Sequence, residues 1–184
     1  PGDEVTLCYL GDVLIAPKER SDELMQRWFF STVTPLPSDK FIEAYAHDDV
    51  DINTVGAKLV EMNDLGMKAW DLGHSSESAA DTQRHLKNAL GAYQLLLKSA
   101  QGVLHPRHGW VLNAQRRMAA ILLRDASEEK PQFPAGAQLA MKLLSAVVDA
   151  EEKCYVIGRW KLIETLMMAV EAAKKAGNAE QANL

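Results

Sequence analysis

Three groups of residues in this chain have the types and spacing to do chemistry: Tyr9 behind the turn Pro1-Gly2-Asp3-Glu4, the pair His105 and His108, and the adjacent Arg116 and Arg117. Tyr9 puts a hydroxyl on a short apolar segment, where a tyrosine ordinarily packs against a pleated surface and only exceptionally orients a reacting group. Histidines at this spacing can set two imidazoles on one helix face as metal ligands. Here Pro106 suits a first helical turn with His105 just before it, and no acid or cysteine stands at a fixed third position, so the pair reads as a helix start. The two arginines could meet an acidic partner, but on an amphipathic helix they read as a solvated face, as do Glu151-Glu152 and Lys174-Lys175. The only cysteines, Cys8 and Cys154, stand far apart and suggest neither a disulfide framework nor a thiolate metal site.

The elements that must position these groups are mainly helical. Residues 4–10 combine β-branched and apolar side chains behind a Pro-Gly turn and predict a short strand, which Gly11 ends. Pro17, Ser21, Asp22 and Glu23 supply helix-start chemistry, a hydroxyl for an orphan N–H and carboxylates at the positive helix end, for a helix through Leu24, Met25, Trp28 and Phe29. Thr34-Pro35-Leu36-Pro37 breaks it, and Ser38 can cap a further short helix. Beyond that point apolar residues recur at helical spacing. Leu86, Leu90, Tyr93, Leu97, Ala100 and Leu104 form one stripe, and Val111, Ala114, Met118 and Ile121 the next. After the loop Lys130-Pro131-Gln132-Phe133-Pro134 come Leu139, Leu143, Val147 and Ala150, then Trp160, Ile163, Met167 and Val170. Two antiparallel hairpins are predicted. Ala89, Ala92, Ala119, Ala120, Ala140 and Ala169 allow close helix crossings, as in stacked hairpin repeats of tetratricopeptide (TPR) type, although no repeat carries the full consensus. Residues 178–184 are polar and alanine-rich and are expected to fray as a flexible tail.

The bulk properties exclude some function classes. Against 25 Asp plus Glu there are 20 Lys plus Arg, a formal charge of −5, so no dominant basic surface for nucleic acid is expected. No apolar run approaches the ~20 residues of a membrane span, and the N-terminus lacks a signal-peptide layout. With few cysteines, the expected setting is intracellular, cytoplasmic or nuclear.

The string Pro1-Gly2-Asp3-Glu4-Val5-Thr6-Leu7-Cys8-Tyr9-Leu10 resembles the closing segment of a SET-type protein-lysine methyltransferase. Its continuation adds to the match: Arg20, Leu24, Trp28 and Phe30 reproduce the R-x3-L-x3-[YW]-x-F spacing that follows the tyrosine in many SET proteins. A SET end followed by a long helical-hairpin domain is similar to the SET and MYND-domain (SMYD) branch. The resemblance implies that Tyr9 orients the lysine amine toward the methyl group of S-adenosylmethionine, that Trp28 and Phe30 pack near the cofactor's adenine, and that the helical domain covers the cleft of a protein substrate. It divides the chain into residues 1–37, the end of a SET domain with a divergent post-SET segment; residues 38–177, a TPR-like helical domain; and the tail.

Two departures from the family pattern carry expectations of their own. Zinc-binding members have F-x-C-x-C-x-x-C after the aromatic residue, whereas counting from Phe30 puts Thr32, Thr34 and Pro37 at the cysteine positions, so no zinc site is expected. The cofactor-binding Gly-x-Gly and the N-H-S-C-x-P-N segment have no counterpart in these residues, so the chain alone is not expected to methylate. The expected fold is therefore mainly α: a short N-terminal β-strand from the end of a SET domain, followed by TPR-like antiparallel helical hairpins. The alternative is a non-enzymatic helical interaction domain whose grooves bind a peptide or partner helix.

Overall fold

A computed structural model of the protein describes residues 17–29, 52–127, 131–133, 135–154 and 160–177. The predicted strand and the short helix after Ser38 lie outside these residues. The fold is mainly α, with six helices among the described residues: α1 (Pro17–Trp28), α2 (Ile52–Ser75), α3 (Ala79–Ala100), α4 (Gly109–Asp125), α5 (Gly136–Cys154) and α6 (Trp160–Lys175). None of them is long and apolar enough to cross a membrane.

Local chemistry sets the boundaries. Pro17, the first of the predicted helix-start residues, is the first residue of α1, because a proline in the first turn gives up an N–H that would have no partner anyway. Ser78 caps α3 by accepting from the Asp81 N–H, and Asp81 holds Arg84 at 2.8 Å. Gly102, at φ 78°, closes the end of α3 in a left-handed conformation that a side chain would strain. The next helix starts at Gly109 and not at Pro106: residues 106 and 107 form a turn, and His108 is the cap.

From α2 to α6, consecutive helices pack against one another in order, with α4 also touching α6. The pairing directions follow from particular contacts. Gly66 and Gly73 of α2 meet Tyr93 and Leu86 of α3, so these helices run antiparallel. Arg107, just before α4, reaches Asp149 near the end of α5, whereas Leu122 near the end of α4 lies against Gly136 at the start of α5, again antiparallel. Between α4 and α6 the contacts Arg116 to Thr165 and Leu123 to Lys175 advance together, so alternate helices run parallel.

One apolar core connects α2 through α6, built on Leu59, Leu90, Tyr93, Leu96, Leu122 and Leu144. Burying each large apolar side chain of this kind stabilises by ~1.5–3 kcal/mol. The predicted stripes on α3 and α4 are buried or half-buried throughout. On α5 the predicted Val147 and Ala150 are buried and Leu143 is half-buried, so the stripe departs only at Leu139, whereas on α6 the inward face is rotated from the predicted one. Leu139 is exposed while Ala137, Ala140 and Leu144 are buried; Ile163 and Met167 are 56% and 68% exposed while Leu162, Thr165, Ala172 and Ala173 face inward. Small residues let these helices approach closely, and an alanine face carries little weight in a pattern read from large apolar side chains.

Gly66 shows how close that approach is. A Cβ built there would lie 2.6 Å from the Tyr93 ring, which is fully buried and cannot give way. Gly66→Ala should therefore destabilise by ~1–2 kcal/mol, the overpacking outweighing a helix-propensity gain of ~1 kcal/mol. Gly91, also helical, has open space at its Cβ, so Gly91→Ala should stabilise by up to ~1 kcal/mol. Urea midpoints for the two variants should move in opposite directions.

Candidate functional site

Of the residues expected to do chemistry near the N-terminus, Tyr9 and Phe30 lie outside the described residues. Trp28 is the last residue of α1. Leu24, one turn before it, is 3% exposed.

The histidine pair is occupied with backbone. His105 Nδ1 accepts from the Arg107 N–H at 3.0 Å, and His108 Nδ1 accepts from the Trp110 N–H at 3.2 Å, capping α4. A ring nitrogen that accepts from an amide must be unprotonated, and the site favours that form. Burial, with the neighbouring His105 second, lowers the pKa of His108 to about 4. His105 is shifted down as well, by burial and then by Arg107. Because unfolded His108 takes up a proton near pH 6.5 and the folded residue does so only near pH 4, its contribution is complete above about pH 6.5 and is lost as the pH falls through that window. Between pH 7 and pH 5 this group should cost ~2 kcal/mol of stability. Denaturation midpoints at the two pH values should converge in His108→Asn, which keeps a capping oxygen but does not titrate.

The arginines, read from the sequence as solvated, are instead the two flanks of the exposed side of α4. Arg117 donates from Nη1 to the Tyr93 hydroxyl at 2.9 Å, and its guanidinium lies 5.6 Å from the centre of the Trp70 ring on α2. The Trp70 ring lies 4.3 Å from that of His74, tilted by 36°, and His74 Nδ1–H donates to the Trp70 carbonyl at 2.9 Å. Burial raises the Tyr93 pKa against the opposing pull of Arg117, so its hydroxyl stays protonated and accepts from the guanidinium. The result is a guanidinium held in a fixed position between α2 and α4, with donors beyond the one Tyr93 takes. Such a group can bind a carboxylate or phosphate oxygen with little ordering cost.

On the other flank, Arg116 forms an ion pair with Glu151 of α5 and donates from Nε to the Thr165 hydroxyl of α6 at 3.2 Å. Glu151 and Thr165 are both 0% exposed. This correction reaches the C-terminal lysines too: Lys175 donates to the Leu123 carbonyl at 3.2 Å and to the Ser127 hydroxyl, tying the end of α6 to the end of α4. The signal for Arg116 was its place in Gln115-Arg116-Arg117-Met118, inside a helix otherwise rich in apolar residues. Nothing in the spacing showed which neighbours the two arginines would reach. No protein-family model matches this sequence, and no curated protein matches it.

Proposed function

We propose that this chain is the C-terminal portion of a protein-lysine N-methyltransferase of the SMYD kind that uses S-adenosylmethionine, with its helical domain covering the substrate cleft. The observation that carries this reading is the run Gly2-Asp3-Glu4 to Tyr9 followed at family spacing by Arg20, Leu24, Trp28 and Phe30. The cofactor supplies the methyl group. The share of this chain is the Tyr9 hydroxyl, which orients the neutral amine for in-line attack, and Trp28 and Phe30, which pack against the adenine.

The helical part supports a TPR-like array. Successive helices are antiparallel, alternate helices α4 and α6 are parallel, and Arg117 of α4 reaches Trp70 of α2. Ala89, Ala119 and Ala140 are buried at the crossings, as close stacking requires. The reading is tested on the full-length parent with methyl-labelled S-adenosylmethionine and an array of lysine-containing proteins. Label should appear on lysine, and the coding sequence upstream of Pro1 should carry an N-H-S-C-x-P-N segment. An unrelated upstream sequence with no label transfer would overturn it.

The second reading is a helical protein-interaction domain without enzymatic activity, favoured by the Arg117, Tyr93, Trp70 and His74 cluster. In that case Arg117→Ala should lose a partner that the unaltered chain retains in a pull-down, with thermal stability reduced by ~1–2 kcal/mol at most. Retention of every partner by Arg117→Ala would reject this cluster as the docking point.

A further inference from the structure

A second feature lies at the opposite end of α3 from its Gly102 cap. The first turns of α3, the last turns of α4 and residues 131–133 enclose a cavity of about 330 Å³. That is the lower end of the ~300–1,000 Å³ found for small-molecule sites. Its floor is apolar, formed by Leu86 and Ile121 with Phe133 as the roof. Asp125 holds the roof in place: its two carboxylate oxygens accept from the N–H groups of Gln132 at 3.0 Å and Phe133 at 2.9 Å. The Phe133 carbonyl accepts in turn from the Gly136 N–H at 2.7 Å. The cavity is therefore held open by backbone bonds on both sides of its roof.

The charges of its described lining are unbalanced. The charged residues of the lining are Lys87, Arg124 and Asp125, two cations against one anion. The anion is already engaged by the backbone, and neither Lys87 nor Arg124 forms an ion pair with another described residue. In a chain whose formal charge is −5, a locally cationic rim over an apolar floor calls for a specific complement.

We propose that this cavity binds a small amphipathic carboxylate, its apolar body on Leu86, Ile121 and Phe133 and its carboxylate between Lys87 and Arg124. A single carboxylate balances the net single positive charge of the lining, whereas a phosphate dianion would leave excess negative charge against an apolar floor. The proposal is independent of the methyltransferase reading, because it uses no residue before Ala79.

The test uses the full 184-residue chain, decanoate as the probe, 1-anilinonaphthalene-8-sulfonate as a fluorescent reporter and 1-decanol as the uncharged control. Decanoate should displace the reporter from one saturable site. The double variant Lys87→Gln, Arg124→Gln should weaken decanoate at least tenfold and leave decanol binding unchanged. Ala80→Trp, which fills the cavity from an exposed helix position, should abolish binding of both while circular dichroism and Tm stay as in the unaltered chain. Decanoate that does not bind, that binds the charge variant equally well, or that still binds the Ala80→Trp protein would overturn the proposal.

Discussion

Arg116→Met should destabilise the helical domain by ~3–5 kcal/mol, the loss typical of removing one partner from a buried ion pair. The argument rests on what stays behind. Glu151 is 0% exposed, and apart from the Arg116 ion pair neither of its oxygens accepts a hydrogen bond from a described residue. Without the guanidinium it is a buried carboxylate with no counter-charge among the described residues. The Thr165 hydroxyl, also fully buried, loses the Arg116 Nε–H at the same time. The double variant Arg116→Met, Glu151→Leu should recover most of the loss, since apolar replacements of similar volume remove the desolvation cost of both charges. Urea denaturation of the two single variants and the double completes the cycle. An Arg116→Met effect below ~1 kcal/mol, the value for a solvated surface pair, would show that these charges remain hydrated.

The same pair explains why α4 is the centre of the fold. Arg116 ties α4 to α5 and α6, while Arg117 ties it to Tyr93 of α3 and Trp70 of α2. Two adjacent residues on a helix point about 100° apart, so one dipeptide can reach neighbours on both sides. The loss in Arg116→Met should be seen in all three helices it joins, and hydrogen exchange in α5 and α6 should accelerate together with that in α4.

How far the fold was legible depended on side-chain size. On α3, Leu86, Leu90 and Tyr93 repeat at intervals of three and four, and on α4 Val111, Ala114, Met118 and Ile121 do the same; all are buried. Large residues on one face and polar ones opposite give a periodic signal that survives without tertiary information. On α5 the signal holds at Val147 and Ala150 but misses Ala137 and Ala140, and on α6 it misleads, because Ala172, Ala173 and Thr165 take the inside while Ile163 and Met167 face out. An alanine packs well where helices cross closely, yet it weighs little in a hydrophobic stripe.

The candidate site was less legible for a related reason. Arg116, Arg117 and Glu151 are charged residues on amphipathic helices, for which a solvated face is the ordinary outcome. Only the arrangement of five helices shows that Arg116 and Glu151 meet in the interior and that Arg117 lies over Trp70. His108 was read as part of a helix start, and it is one, but as the cap itself. The imidazole takes the place of a Ser or Asp oxygen, a role that no sequence spacing marks. Leu24, expected on the helix that follows Pro17, is buried there.

On the proposed methyltransferase reading, Tyr9→Phe in the full-length enzyme should reduce methyl transfer by roughly 10²-fold or more, the usual cost of removing one hydrogen-bonding group from a preorganised reaction centre. The substitution keeps the ring and removes one oxygen, so packing on the predicted strand is conserved and the fold should be unaffected. The loss should appear in kcat and kcat/KM together, because a hydroxyl that orients the amine and complements charge at the reacting centre acts in the transition state more than in binding. On the same reading, KM for the protein substrate should change little. Substitutions on the helical face, such as Arg117→Ala, should show the reverse if that face contacts substrate, a raised KM with kcat retained. Steady-state rates with labelled S-adenosylmethionine measure both. A Tyr9→Phe protein with unchanged kcat would remove Tyr9 from the reaction centre and leave the helical interaction domain as the better account of this chain.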